Sequence, residues 1–369
     1  MVTTTDPLAP AEVERRDALV ERLFGATLGA MDLFAVYLGD RLGFYRALAD
    51  AGPATPGDLA TRTGTHPRYV REWLEQQAVG GILDVEDAGA EAEARRFRLP
   101  PGHAEALADP DSLSAMAPLA RLLAGVVFPM ADLVAAFRTG GGVPFGAYGE
   151  DLREGQAGQN RPQFRHLLGS EWLPAMPDID ARLRADPPAR VADIGMGAGW
   201  SSLAIARAYP AVIVDGFDLD APSVELARAN AAAAGLGDRV TFHVRDAGDP
   251  DLAGRYDLAC AFECIHDLSD PVAVLGAMRR LVGAGGTVLI MDEKVADAFV
   301  APGDDIERFM YGFSVLHCLP VGMADQPSVG TGTVMRTATL QGYAAAAGFT
   351  GVEILPIAHD WFRFYRLTG

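Results

Sequence analysis

Four groups of residues in this chain could do chemistry, and all lie in its second half. The first is the run Phe262–Pro271, FECIHDLSDP, in which His266 and Asp267 stand side by side just after the apolar stretch YDLACAF. A histidine near its unperturbed pKa can take a proton from a hydroxyl at neutral pH. The second is His317 in FSVLHCLPVGM, with Cys318 next to it. Two histidines and one carboxylate are the donor set of a facial triad, which leaves coordination positions open for a substrate. The third is the glycine turn that follows RVADI: Gly195, Gly197 and Gly199, with Asp193 just before it. Glycines there let the backbone turn sharply and approach a ligand before the next helix begins. The spacing D-x-G-x-G-x-G is not the dinucleotide fingerprint. The fourth is a pair of acids, Asp218 ending VIVDGFD and Asp246 ending RVTFHVRD. Asp218 is placed to accept from both hydroxyls of a ribose, and Asp246 from the exocyclic amine of a purine. Each acid alone reads more readily as a helix cap or a solvated charge. Three acids at the C-terminal ends of three successive strands, however, share the crevice side of one sheet, where ligands bind.

The elements that must hold these residues follow from the pattern. From Arg190 onward short apolar runs, RVADIG, AVIVDGFDLD, RVTFHVRDA, YDLACAF and GTVLIMDE, alternate with helical stretches. That alternation predicts a parallel sheet with crossover helices, an α/β doubly wound domain. Upstream, TPGDLATRTG is a short capped helix ended by Gly64. HPRYVREWLEQQAVGGIL is a second helix, and DVEDAGAEAEARRFRLP a hairpin with a polar tip. Helix, turn, helix and hairpin make a winged helix. Its second helix carries Arg68 and Arg71 but also Glu72 and Glu75, and the chain has a formal net charge of −18. That field repels phosphate backbones and anionic lipid. A structural domain is expected, with neither nucleic acid nor membrane as partner. Residues 11–50 read as helices with Leu19, Leu23, Leu28, Met31, Phe34, Leu38, Leu42 and Tyr45 at three- and four-residue steps. Helices this apolar lie in a core or across a subunit interface, and a homodimer is expected. Residues 103–185 read as helical around a long loop, 139–164, that is either a lid or a plain connector. The expected domains are 1–105, helical with a winged helix; 106–184, connector and lid; and 185–369, α/β.

At 369 residues, 49% hydrophobic and 22% charged, the chain suits one large or two to three ordinary globular domains. MVTTTDPLAPAEVERRD has no basic region followed by an apolar run, so no signal peptide is expected. LLAGVVFPMADLVAAF is interrupted by Pro129 and Asp132 and is too short to span a bilayer. Three cysteines suit a reduced, cytoplasmic compartment. Cys260 and Cys264, about 13 Å apart on a strand, read as buried thiols rather than joint metal ligands. Trp172 and Trp361 read as core. Glu293 could face the site or cap. Arg121, Arg138, Arg161 and Arg165 are candidates to pair with a substrate carboxylate.

With these residues in view, the sequence resembles the class I S-adenosylmethionine-dependent methyltransferases. The likeness holds by motif over residues 185 to 369, and by architecture through the N-terminal winged-helix region. It implies a Rossmann-like domain and a small-molecule methyltransferase of secondary metabolism. Asp193, Gly195, Gly197 and Gly199 would line the methionine end of the cofactor. Asp218, with Leu219 beside it, would hold the ribose; Asp246 and Ala247 would hold the adenine, with Phe262 packed near it. Two finer resemblances compete. IHDLSDP is similar to the L-H-D-W-S-D segment of plant-type O-methyltransferases, which implies His266 as general base for O- or N-methylation. The set His266, Asp267 and His317 is similar to that of the metal-dependent 2-oxo-acid C-methyltransferases. That implies a bound iron, or zinc or another divalent ion, acting as a Lewis acid while the C3 carbon of the enolised acid is methylated. A methyltransferase-like regulator that binds ligand without catalysis is the remaining alternative.

Overall fold

The computed structural model describes residues 8–252 and 254–369. Residues 1–7, the start of the segment judged against a signal peptide, lie outside them. The chain divides into two compact units, Met1–Arg121 and Leu122–Gly369.

The first unit begins with the long helix α1 (Pro10–Arg41), followed by α2 (Phe44–Ala51), α3 (Pro56–Thr63) and α4 (Pro67–Val79). A two-residue strand pair, β1 (Asp84–Val85) and β2 (Phe97–Arg98), and helix α5 (Pro101–Ala108) follow. The local causes are legible. Thr55 and Asp58 form a reciprocal capping box at the start of α3, and Gly64, at φ 67°, ends it. His66 caps α4 by accepting from the Arg68 N–H at 3.2 Å. Phe44, Tyr45, Leu59, Val70, Trp73, Leu74 and Phe97 form the core of the unit. Gly39 lets α1 pack there, since a Cβ at that position would stand 2.5 Å from the Trp73 ring. The rest of α1 is uncovered: Phe24 is 65% exposed and Met31 63%, with Leu23 and Leu28 close behind. On α4, Arg68 pairs with Glu72 at 2.6 Å and Arg71 with Glu93 at 2.5 Å, so both of its basic side chains are already matched by carboxylates.

The second unit takes up α6 (Ala117–Val127) near its middle and continues through α7 (Met130–Thr139), α8 (Gly149–Gln163) and α9 (Pro177–Arg184). Its strands are β3 (Arg190–Ile194), β4 (Ile213–Asp218), β5 (Val240–Val244), β6 (Leu258–Phe262), β7 (Thr287–Glu293), β8 (Gly351–Ile354) and β9 (Phe362–Thr368). Between them lie α10 (Trp200–Ala208), α11 (Ala221–Ala234), α12 (Pro271–Val282), α13 (Asp305–Phe313), α14 (Leu319–Gly322) and α15 (Thr337–Ala346). The seven strands run in the order β5-β4-β3-β6-β7-β9-β8. The first five are parallel, and β9 is antiparallel to both neighbours. The order reverses between β3 and β6, so a crevice opens at the C-terminal ends of those two strands. β3, β6 and β7 are buried along almost their whole length, as a sheet covered on both faces requires. Among the described residues no single helix is long and apolar enough to cross a membrane.

Three expectations are corrected. The long loop of residues 139–164 is mostly α8, preceded by one tight turn at Phe145–Tyr148. Its glycines and polar residues mask the helix, which is held instead by the buried Tyr148, Leu152 and Phe164. Beyond Pro162, itself inside α8, the helix widens to π-type turns over Phe164–Trp172. Trp172 is core, but Trp361 is 39% exposed and meets Phe309 edge-on. The antiparallel edge β8–β9 completes a sheet of which only five strands were foreseen.

Candidate functional site

The turn after β3 is built as its glycines require. Gly195, Gly197 and Gly199 have φ values of 65°, 53° and 78°, a left-handed region that suits glycine. Space is tight as well: a Cβ on Gly195 would lie 2.8 Å from Cys264 Sγ, and one on Gly199 would lie 2.6 Å from Phe242 Cζ. Asp193 sits beneath the turn, wholly buried. Ser201 and Ser202 each donate to its Oδ2 at 2.6 Å. Burial pushes its carboxyl up to about 6, against the pull of those hydroxyls. Asp193 therefore braces the turn and also reaches the wall of the cavity that the turn borders.

Asp218 ends β4 opposite the turn. Its Oδ2 accepts from the Gly197 N–H and its Oδ1 from the Asp220 N–H, both at 2.9 Å. Each carboxylate oxygen keeps a lone pair for a ligand hydroxyl. Burial raises its pKa, with those backbone donors opposing. Gly195, Gly197, Asp218, Leu219, Asp246, Ala247 and Phe262 all line one cavity of about 440 Å³, within the range of about 300–1,000 Å³ usual for small-molecule sites. Gly199 abuts that wall without lining it. One side of the cavity is α8, tethered at both ends. Arg153 grips Asp220 with two bonds of 2.6 and 3.2 Å, and the Asn160 side chain donates to Glu263 Oε2 at 3.2 Å.

His266 and Asp267 lie on a short 3₁₀ turn, Ile265–Asp267, just past β6. Asp267 lines the cavity; His266 does not. The imidazole is packed into carboxylates. Nδ1 stands 2.7 Å from Asp292 Oδ1 and 2.9 Å from Glu293 Oε2, and Nε2 3.1 Å from Asp267 Oδ1. Burial alone would lower its pKa, but the three acids outweigh burial and hold it well above the ordinary value. Both ring nitrogens thus face carboxylates, which favour the charged form of the ring. Glu293, expected to face the site or cap, faces His266 instead; burial pushes its carboxyl well up. His317 is buried on the widened helical turn Ser314–Cys318, edge-on to Tyr148 at 4.7 Å and Phe145 at 5.9 Å. Burial depresses its pKa, against the pull of Asp267.

Two sets of possible ligand atoms lie within 4.8 Å of one another: His266 with Asp267 and Cys318, and His266 with Asp292 and Glu293. His317 joins neither. Its Nε2 is buried without a hydrogen-bond partner, whereas Asp267 Oδ1 is already paired with His266 Nε2. Cys260 and Cys264 are free thiols, Cys260 buried and Cys264 partly so. Of the four candidate arginines none lines the cavity. Arg121 pairs with Asp40 at 3.3 Å in the first unit, and Arg161 lies over the Trp200 ring at 4.6 Å.

Sequence reasoning missed Glu263, Asp292, Arg153 and Asn160. Asp292 and Glu263 carried a readable signal, a carboxylate at the end of an otherwise apolar strand. Arg153 and Asn160 had none, because the segment that carries them reads as a loop. Glu263 is the one non-glycine residue with positive φ among the described residues, at 54°. It lines the cavity, and burial raises its carboxyl to about 7.

Residues 191–286 match the family described as a methyltransferase domain, and residues 11–109 the family described as an Rv2258c-like winged HTH domain. Among curated proteins the chain is 33% identical over 105 residues to ajmaline N-methyltransferase of Rauvolfia serpentina, covering 28% of this chain and 36% of that one. It is 31% identical over 115 residues to norajmaline N-methyltransferase of the same plant, covering 30% and 39%. The chain thus spans well under half the length of these relatives. Among solved structures it is similar to human N-acetylserotonin methyltransferase in complex with SAM, with a TM-score of 0.69 and 18% identity, covering 100% of this chain and 99% of that one. It is also similar to an O-methyltransferase family protein from Burkholderia thailandensis, with a TM-score of 0.61 and 18% identity over 98% of each chain. The two matched domains and the whole-chain likeness place this chain in the class I methyltransferase fold with an N-terminal winged-helix domain.

Proposed function

We propose that this chain, built on the class I methyltransferase fold, moves the methyl group of S-adenosylmethionine onto an oxygen or nitrogen of a small molecule. The observation that carries this reading is the crevice itself. A left-handed glycine turn faces the half-buried carboxylate of Asp218, and both open onto the cavity that reaches Glu263 and Asp267. Asp218 would accept from the ribose hydroxyls, and Asp246 from the adenine amine. Leu219, Ala247 and Phe262 would enclose the rings, with the methionine end above Gly195–Gly199. The relatives named as N-methyltransferases and the neighbour solved with SAM support the same reading. The test is calorimetric titration of the full chain with S-adenosylmethionine and S-adenosylhomocysteine, then transfer of labelled methyl to small-molecule acceptors. A folded protein that binds neither compound sinks the reading. Tight binding without transfer to any acceptor favours a ligand-sensing regulator.

A second reading is metal-assisted C-methylation of a 2-oxo acid. It is favoured by the carboxylates gathered around His266 and by His317 Nε2, which is buried without a hydrogen-bond partner. The donor types fit a divalent ion such as iron or zinc, held by His266, Asp267 and His317. Asp292 on Nδ1 would orient the imidazole so that Nε2 points to the ion, as carboxylates behind ligating histidines do. Burial favours the neutral form of His317, the form that ligates. When bound, the ion supplies Lewis-acid activation of the chelated 2-oxo acid, whose C3 carbon is the methyl acceptor in this reading. We also propose that a second copy of the chain covers the apolar face of α1, and that the protein works in the cytoplasm.

A further inference from the structure

We propose that Glu263 receives the methyl acceptor: its carboxylate takes the N–H of an amine, so the cavity selects an amine over a carboxylic acid. The inference rests on the heteroatom reading above and names its substrate class.

The backbone is the first observation. Glu263 holds φ 54°, a conformation that costs a residue with a side chain about 1–2 kcal/mol. Such strain persists only where the surroundings fix it, and it clusters at ligand sites. Here the surroundings are explicit. The Glu263 N–H donates to Met291 O on β7 at 2.8 Å. At the other end of the side chain, Asn160 of α8 donates to Oε2. Backbone and carboxylate are thus held from two different elements, and the carboxylate stands in the cavity wall.

The charges around it are the second observation. Asp267 lines the same cavity as Glu263. Among the described residues the cavity wall carries two guanidinium groups, those of Arg153 and Arg245, and no lysine. Arg153 pairs with Asp220 at 2.6 Å and Arg245 with Asp249 at 2.8 Å. An acceptor that carries a carboxylate meets two acids there and no cation left for it. An amine meets a carboxylate fixed on one oxygen by Asn160. Phe145, Phe164 and Phe262 line the same cavity, which suits an acceptor with an apolar or aromatic body.

The step balances without another reagent. Glu263 accepts one N–H of the neutral amine, which turns the nitrogen lone pair toward the methyl carbon. The N–C bond forms as the C–S bond breaks. The electron pair of the broken bond stays on sulfur, giving S-adenosylhomocysteine. The surplus proton of the new ammonium passes to the Glu263 carboxylate.

The test uses the full chain saturated with S-adenosylhomocysteine. Tryptamine and indole-3-propionic acid, which share the ring and spacer and differ in the end group, are titrated into it by calorimetry. Tryptamine should bind at least tenfold more tightly than the acid. Glu263→Gln should abolish that preference and leave S-adenosylhomocysteine affinity within twofold of wild type. Should Glu263→Gln fold poorly, Glu263→Asp keeps the charge but withdraws it by one methylene, and should weaken tryptamine binding several-fold. An acid bound as tightly as the amine overturns the proposal. So does amine preference that survives Glu263→Gln, so does tryptamine affinity unchanged in Glu263→Asp, and so does failure of tryptamine to bind at millimolar concentration. Loss of S-adenosylhomocysteine binding in the wild type, by contrast, strikes the methyltransferase reading itself.

Discussion

Replacing Asp218 by Asn tests the cofactor site most sharply, because the structure says what each oxygen does. Both oxygens accept backbone N–H groups, from Gly197 and from Asp220. An Asn side chain has one acceptor oxygen and turns an NH₂ group on the other donor. One of the two backbone donors therefore loses its partner, at about 1–3 kcal/mol if it stays dry. The ribose loses more. Bonds from its hydroxyls to a carboxylate are charge-assisted, and removing them costs roughly 1.5–3 kcal/mol. At 1.4 kcal/mol per decade that is about a 10- to 150-fold weaker affinity. Calorimetry with S-adenosylmethionine at fixed salt measures the second effect and urea unfolding the first. Asp246→Asn supplies an internal contrast. Asn keeps an oxygen that can accept from an adenine amine, so the loss there should stay below about tenfold. Affinity within twofold of wild type in a folded Asp218→Asn protein would refute the ribose assignment. A larger loss for Asp246→Asn than for Asp218→Asn would invert the assumed pose.

Gly199→Ala should destabilise the chain by roughly 2–5 kcal/mol. The left-handed φ costs about 1–2 and the overpacking against Phe242 and Ala227 a further 1–3; an unchanged urea midpoint would contradict the turn as described. The uncovered face of α1 predicts a dimer that Phe24→Glu with Met31→Glu converts to monomer, and sedimentation of wild type as a monomer removes that proposal. For the metal-assisted reading, elemental analysis should find a divalent ion in near-stoichiometric amount, and less of it in His317→Ala. Wild-type protein with only trace metal and full activity after chelation dismisses it.

The fold was legible because its signals are local. Strand alternation from Arg190, the capping box at Thr55 and the glycines at 195, 197 and 199 each state a backbone requirement that few other residues meet. The helix α8 was not legible. Its stretch EDLREGQAGQN is polar and glycine-rich, and it becomes helical because Tyr148, Leu152 and Phe164 anchor it in the second unit. The site was half legible for a related reason. Sequence adjacency drew notice to His266 and Asp267, yet a tight turn sends neighbouring side chains different ways. Asp267 reaches the cavity, while His266 points back among the acids at the end of β7. Glu263 had a readable signal in its place at the end of an apolar strand, but nothing in the sequence announces its left-handed backbone.

Those acids also bear on what His266 can do. Asp267, Asp292 and Glu293 favour its charged form, and the ring in turn holds the Asp267 and Asp292 carboxyls below their usual range against burial. A general base must begin its cycle deprotonated. Here that would leave two buried carboxylates facing a neutral ring, an arrangement that burial strongly opposes. A plain base mechanism through His266 therefore runs against the electrostatics of its own pocket. A divalent ion on Nε2 would remove the conflict, since its two charges match the two carboxylates and the ring then needs no proton there. A substrate proton taken by Glu263 avoids the conflict altogether, because the accepting carboxyl is then a different group, one that burial has already moved to about 7. Proton transfer at His266 without a metal is the one route the cluster disfavours, although the sequence motif alone most readily suggests it.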